Sequence, residues 1–149
     1  MKQQDTINLV LQSKGSQVFS VEPETSVHQA VEQMAEKKVG ALLVLSGGKV
    51  KGVLSERDCA RKLILTGRPS KDTQVREIMT SQVITATPQD TVDDCMHIMT
   101  DHRIRHLPVV GGDTVVGMLS IGDLVKWIIS AQEATIDSLQ NYITGKYPA

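Results

Sequence analysis

Written beneath itself at a shift of 65 positions, this chain matches its own first half without a gap. Val27 falls on Val92, Met34 on Met99, Leu42 on Leu107, Val44 on Val109 and Gly47 on Gly112. Further along, Val50 falls on Val115, Gly52 on Gly117, Leu54 on Leu119, Ser55 on Ser120 and Asp58 on Asp123. Identities along one fixed register mark two copies of one supersecondary unit, here Pro23 to Asp58 and Pro88 to Asp123. Two like units that bury their apolar faces against each other form a pseudo-symmetric body whose cleft is lined twice by the same residues. The functional question is therefore what Ser55…Asp58 and Ser120…Asp123 do.

A length of 149 residues suits one domain, or two small units sharing a core. The chain is 40 % hydrophobic but only 3 % aromatic, so the core is expected from Val, Ile, Leu, Met and Ala. Sixteen basic and 17 acidic residues leave a net charge of −1. No global field then attracts nucleic acid or an anionic membrane. No apolar run reaches the ~18–20 residues of a membrane span, and Met1-Lys2-Gln3-Gln4-Asp5 lacks a signal peptide's apolar stretch. Two cysteines, Cys59 and Cys95, both in helical patterns, fit free thiols in a reducing compartment. The expected location is cytoplasmic.

The spacing predicts a short helix over Thr6 to Leu11, a turn over Lys14 to Gln17 and a strand over Val18 to Val21. Val27, Ala30, Val31, Met34 and Ala35 form one helix face. Ala41 to Leu45 and Val50 to Leu54 read as strands joined by a turn at Ser46-Gly47-Gly48, where glycine accepts positive φ. Ser55 to Leu65 reads as a helix stopped by Gly67. The unit is thus β-α-β-β-α. After polar Ser70 to Asp72 and a helical turn over Val75 to Met79, the second copy follows. Its strand is Val83 to Ala86, its helix face Val92, Cys95, Met96 and Met99. A hairpin about Gly111-Gly112 joins Leu107–Val110 to Val115–Leu119, and the helix Ser120 to Ser130 closes the copy. Ile136, Leu139, Tyr142 and Ile143 give a further amphipathic helix ended by Gly145 and Pro148, whose apolar face a partner subunit would cover. The expected fold is mixed α/β (α+β). Its segments are an N-terminal helical segment (1–17), repeat 1 (18–68), a linker with a short helix (69–82), repeat 2 (83–130) and a C-terminal helical tail (131–149).

Gly52-Val53-Leu54-Ser55-Glu56-Arg57-Asp58 and Gly117-Met118-Leu119-Ser120-Ile121-Gly122-Asp123 resemble the signature of cystathionine-β-synthase (CBS) domains. That signature is Gly, two mostly apolar residues, Ser or Thr, any two, then Asp. His106-Leu107-Pro108-Val109-Val110 resembles the family's second strand, with Gly40-Ala41-Leu42-Leu43-Val44 its counterpart. The resemblance runs from about Val18 to Ile129 and is to a stand-alone CBS pair, or Bateman module. It implies two clefts between the copies that take adenosine compounds, with Asp58 and Asp123 on the ribose hydroxyls and Ser55 and Ser120 near ribose and phosphate. One cleft would combine Ser55, Arg57 and Asp58 with Val83, Ile84, Ile104, Arg105, His106 and Pro108. The other would combine Ser120 and Asp123 with Val18, Phe19, Val39, Gly40 and Ala41. Arg57, Arg105 and His106 make the first cleft the expected home of a phosphate-bearing ligand. The second carries Gly122, Gly40 and Ala41 at those positions.

The residue chemistry agrees without the family name. A carboxylate accepts two hydrogen bonds from a diol, and a helix start favours an anion. Arg57 and Arg61, four apart, share a helix face and can form bidentate phosphate contacts. The alternative, which residue physics alone favours, is that Ser-x-x-Asp is a helix cap worth ~1 kcal/mol; the double occurrence and the CBS resemblance reverse that preference. Arg57, Arg61 and Lys62 equally fit a solvated face, and Met34, Met96 and Met99 fit core packing. His102 and His106 straddle a helix-to-strand change, so a shared metal face is not expected; no metal is predicted. No phosphate loop, dinucleotide fingerprint or nucleophile elbow is present.

The reading is a regulatory, non-enzymatic module that binds AMP, ADP or ATP, with NAD or S-adenosylmethionine as alternatives sharing the adenosine group. It is expected to form a homodimer and to signal to a target protein in trans. The rivals are a structural dimer or adaptor with vestigial clefts, and a nucleotide-processing enzyme using Asp58, Arg57 and His106.

Overall fold

The computed structural model describes residues 4–15 and 17–145. In chain order the elements are α1 (Ile7–Lys14), β1 (Ser20–Val21), α2 (Val27–Lys37), β2 (Ala41–Ser46), β3 (Lys49–Ser55) and α3 (Glu56–Cys59). They continue with α4 (Val75–Ile78), α5 (Val92–His102), β4 (His106–Gly111), β5 (Thr114–Ser120) and α6 (Ile121–Ile143). A π-helical segment, Ala60–Ile64, extends α3. Mixed α+β architecture is as expected. Gln17–Thr85 forms one compact unit, and the remaining described chain forms a second.

In the first unit β2 lies between β1, to which it runs parallel, and β3, to which it runs antiparallel. The β2–β3 turn is Gly47-Gly48, with φ of 58° and 76°. Two consecutive positive φ values define the hairpin turn that matches strand twist, and only glycine adopts them at little cost. Ser26 starts α2 by accepting the Gln29 N–H on its hydroxyl at 3.1 Å. Val27, Ala30 and Met34 are buried, whereas Val31 and Ala35 are exposed, so the buried stripe is narrower than the spacing predicts. The helix ends on Lys38 in the left-handed region, φ 57°, before Gly40 is reached. The core is aliphatic, as the composition requires: Val21, Val27, Ala30, Met34, Leu42, Val44, Leu54, Leu63, Val75 and Ile78 with Cys59. Gly67 (φ 71°) stops the α3 segment, its N–H on the Ile64 carbonyl at 3.2 Å.

The second unit repeats this plan with three departures. The expected strand Val83 to Ala86 is reduced to a single parallel bridge, Ala86 to Val109, equivalent to Val21 with Val44 in the first unit. The cause is Pro108. In the first unit the Leu43 N–H donates to the Phe19 carbonyl at 3.1 Å; Pro108, at Leu43's repeat position, has no N–H to donate. The hairpin turn falls at Gly112-Asp113, one residue beyond the expected Gly111-Gly112. Of these only Gly112 has positive φ, 65°, the pattern of a type II′ turn. α6 runs unbroken from Ile121 to Ile143, so the closing helix of repeat 2 and the tail are one element. Its exposed apolar residues include Ile136, Leu139, Tyr142 and Ile143. Gly145 follows with φ 74°. Pro148, and Ser16 of the expected Lys14–Gln17 turn, lie outside the described residues, as do Met1 to Gln3.

The two short helices preceding the copies are also repeats of each other, and each belongs to the unit of the other copy. In the first unit Val75 N–H donates to Thr25, Arg76 N–H to Pro23, and Val27 N–H to Thr73, at 2.8, 2.9 and 2.8 Å. In the second, Ile7 N–H donates to Asp90, Asn8 N–H to Pro88, and Val92 N–H to Asp5, at 2.8, 2.9 and 2.9 Å. Acceptors and helix starts correspond one to one. Ile7, however, answers to Val75, a shift of 68 rather than 65. Three residues separate the two registers, so the N-terminal helix escapes a gapless alignment.

Candidate functional site

Each Ser-x-x-Asp segment sits where a β-hairpin turns into a helix. Ala41 pairs with Ser55, and His106 with Ser120, across the hairpins. The first N–H of each helix is held by the chain just before its β-hairpin: Glu56 N–H donates to Gly40 at 3.0 Å, and Ile121 N–H to Arg105 at 2.8 Å. Within a unit the structure therefore brings Gly40 and Ala41 to Ser55, and Arg105 and His106 to Ser120. The first expected cleft draws Ser55, Arg57, Asp58, Val83 and Ile84 from one unit and Ile104, Arg105, His106 and Pro108 from the other. The second draws Ser120 and Asp123 from one and Val18, Phe19, Val39, Gly40 and Ala41 from the other. Phe19 and Val39 pack against the first unit's core, and Lys37 Nζ lies 5.5 Å above the Phe19 ring. Pro108 is buried, Ile104 is half-buried, and its N–H donates to Met99 at 3.0 Å.

Both segments are reciprocal helix caps. Ser55 Oγ accepts the Asp58 N–H at 3.1 Å, and Asp58 Oδ2 accepts the Ser55 N–H at 3.0 Å and its hydroxyl at 3.1 Å. Ser120 Oγ accepts the Asp123 N–H at 3.1 Å, and Asp123 Oδ2 accepts the Ser120 N–H at 2.8 Å. The capping alternative is thus real chemistry in this fold. It does not decide the function, because Thr91 and Asp94 build the same box at the start of α5, outside the signature.

Each signature carboxylate carries a lysine. Asp58 is buried, and its Oδ1 takes Lys62 Nζ at 3.1 Å and the Thr80 hydroxyl at 3.1 Å. Asp123 Oδ2 takes Lys14 Nζ at 2.7 Å. Burial pushes the Asp123 carboxyl up, but the Lys14 hydrogen bond, the Ser120 N–H and the Lys14 charge together hold it below the usual carboxylate value. Cys59, beside Asp58, is pushed up by burial and then by the Asp58 and Glu56 charges. A thiol so placed stays protonated and serves as core.

Sequence reasoning missed Thr80 and Lys14, and left Lys62 open between the site and a solvated face. Lys62 was findable, since it lies four residues from Asp58 on the same helical segment. Arg61, expected to share a face with Arg57, lies in the π segment and is exposed, while Arg57 is half-buried. His102 closes α5 and His106 opens β4, the helix-to-strand change that the sequence indicates. Among the described residues no group of three or more His, Cys, Asp or Glu is placed to hold a metal ion, and no helix is long and apolar enough to cross a membrane.

The CBS-domain family model matches residues 15–65 and 75–130. The chain belongs to the CBS-domain family. It is 39 % identical over 151 residues to the CBS domain-containing protein CBSX3, mitochondrial, of Arabidopsis thaliana, covering 95 % of this chain and 73 % of that protein. The crystal structure of the CBS domain NE2398 superposes with a TM-score of 0.82 at 48 % identity, over 84 % of this chain and 98 % of that one. A protein with CBS domains from Burkholderia ambifaria MC40-6 superposes with the same TM-score, 0.82, at 45 % identity, over 85 % and 96 % of the two chains. The tandem CBS pair indicated by the repeat is therefore the fold of this protein.

Proposed function

We propose that this CBS pair is a regulatory, non-enzymatic module that binds an adenine nucleotide and signals to a partner protein in trans. The observation that carries the reading is the duplicated signature carboxylate: both copies hold an Asp at a helix start, buried at Asp58 and half-buried at Asp123, each paired with a lysine. Such a group accepts hydrogen bonds from a ribose diol, and AMP, ADP, ATP, NAD and S-adenosylmethionine all present one. Ser55 and Arg57 with Arg105 and His106, and Ser120 with Gly40 and Ala41, are the residues we assign to phosphate and adenine. Val83, Ile84, Ile104 and Pro108, and Val18, Phe19 and Val39, supply apolar walls. A homodimer accords with the exposed apolar residues of α6, and free Cys59 and Cys95 accord with a reducing, cytoplasmic setting. A ligand regulates only through different affinities for two states, so the target must meet a surface that changes on binding.

One observation favours the adaptor reading instead: at Asp58 both oxygens already hold protein donors. Thermal melting against adenine and guanine nucleotides, with Asp58→Ala and Asp123→Ala beside the wild type, separates the two. A ligand at 100 times its dissociation constant adds ~2.7 kcal/mol. A shift with adenine compounds that an aspartate variant loses supports the sensor. No shift with any compound leaves the adaptor, with both aspartates as caps.

A further inference from the structure

We infer that Lys14, from the helix outside the repeat register, is a ligand-contacting residue of the second site and makes that site, not the first, the tighter of the two. The inference rests on the adenosine-binding reading above but adds a residue that reading lacks and reverses the order of the clefts expected from sequence.

The two signature carboxylates are spent differently. At Asp58, Oδ2 is held by Ser55 and Oδ1 by Thr80 and Lys62. At Asp123 the Ser120 N–H and Lys14 both bind Oδ2, and Oδ1 has no protein donor among the described residues. A diol arriving at Asp58 must first displace chain donors. One arriving at Asp123 finds an open acceptor oxygen.

Lys14 supplies the other half of a diol site. Its ammonium has three protons: one goes to Asp123 Oδ2 and one to the Met118 carbonyl, each at 2.7 Å. The third is left for a ligand oxygen, and the side chain keeps 31 % of its exposure. One ribose hydroxyl can then donate to Oδ1 while its neighbour, or a phosphate oxygen, accepts from Lys14. A carboxylate and an ammonium held side by side suit a vicinal diol better than a carboxylate already saturated.

The lysine is delivered by a fixed element. Ile7, Val10 and Leu11 of α1 are buried, α1 is tied to Asp90 and Pro88 by its first N–H groups, and Trp127 Nε1 donates to Asp5 at 2.9 Å. Trp127 occupies the repeat position of Lys62, so the second unit has no lysine at that helix position, and its carboxylate is met by Lys14 from another helix. Lys14 also takes over a bond made by main chain in the first unit. There Thr80 bridges Val53, whereas Lys14 Nζ holds the carbonyl of Met118, Val53's counterpart.

The test is calorimetric titration of the full chain with adenosine, 2′-deoxyadenosine and AMP, comparing wild type, Lys14→Met, Lys62→Met, Asp58→Ala and Asp123→Asn. Methionine keeps the apolar stem and removes the charge; each variant's melting curve without ligand verifies folding. The expected result is AMP binding weakened about tenfold or more by Lys14→Met, the loss of one charge-assisted hydrogen bond. Asp123→Asn weakens it likewise, Lys62→Met changes it less than threefold, and 2′-deoxyadenosine binds less well than adenosine. Binding that depends on Asp123 but is unchanged or tightened in Lys14→Met overturns the inference and leaves the adenosine reading standing. Binding lost in Asp58→Ala and kept in Asp123→Asn overturns the order of the sites. No binding of any compound overturns both.

Discussion

Gly52→Ala measures how much of the signature is architecture. A Cβ at Gly52 meets Met79 Sδ and the Thr80 carbonyl oxygen, each at 2.8 Å. Met79 can rotate away, but the carbonyl cannot, because Thr80 is fastened to Val53 by two main-chain hydrogen bonds of 3.0 and 2.9 Å. Overpacking of this kind costs ~1–3 kcal/mol. Gly52 does not adopt positive φ, so alanine also restricts the unfolded chain and returns ~0.4–1 kcal/mol. The clash wins, leaving a net loss of about 1–2 kcal/mol. At ~2–4 °C per kcal/mol for a chain of this size, the melting temperature falls by about 2–8 °C. At the repeat position Gly117→Ala, the new Cβ lies 2.6 Å from Leu11 Cδ2 and 3.0 Å from Cδ1, side-chain atoms that can turn aside. Its loss should be less than half as large. Thermal unfolding followed by circular dichroism on both variants decides the matter. A Gly52→Ala protein as stable as wild type, or as Gly117→Ala, refutes the claim that the bridged carbonyl forbids a side chain there.

Lys38 and Arg103 end α2 and α5 with φ of 57° and 55°. Glycine relieves ~1–2 kcal/mol of left-handed strain against ~0.3–1 kcal/mol of lost charge–dipole attraction, so Lys38→Gly should raise the denaturation midpoint in urea. The depressed Asp123 carboxyl contributes stability that is fully present above its ordinary value of 3.8 and is lost as pH falls through its lower folded value. Lys14→Met removes two of the causes of that depression, so its acid unfolding midpoint should lie at higher pH than the wild type's, as read by intrinsic Trp127 fluorescence. Burial, with Asp90 and Asp94, pushes the Cys95 thiol up to about 12. Ellman's reagent at pH 8 should therefore leave Cys95 unlabelled in the native chain and label it on unfolding.

Most of the fold was legible because local rules and the repeat agreed. Gly47-Gly48 could only be a tight turn, Ser55 and Ser120 could only start helices well, and aliphatic spacing gave the buried faces of α2 and α5. The misses have particular causes. Val31 and Ala35 fit the periodicity of α2 but not the width of the surface it covers. The missing strand at Val83–Ala86 carried a readable signal: Pro108 has no N–H, and the ladder needs one there. Nothing in local sequence marks where α3 loosens into the π segment, since that depends on Leu63 reaching the core while Leu65 N–H finds Ala60 at 3.1 Å.

The site was half legible for a reason that bears on function. A repeat predicts what both copies share, so it finds Ser55, Asp58, Ser120 and Asp123. It is blind to whatever makes the copies differ. The differences here arise where the chain leaves the common register: α1 is offset by three residues from α4, and that offset sets Lys14 rather than a bridging backbone beside the second carboxylate. Where the first unit has Lys62 the second has Trp127, whose indole N–H anchors the segment that leads into α1. The same difference between the copies thus leaves that helix position without a lysine and fixes the helix that brings Lys14. A duplicated site whose two halves are fed by different elements can bind one ligand class with two affinities, which gives a sensor a wider concentration range than two equal sites.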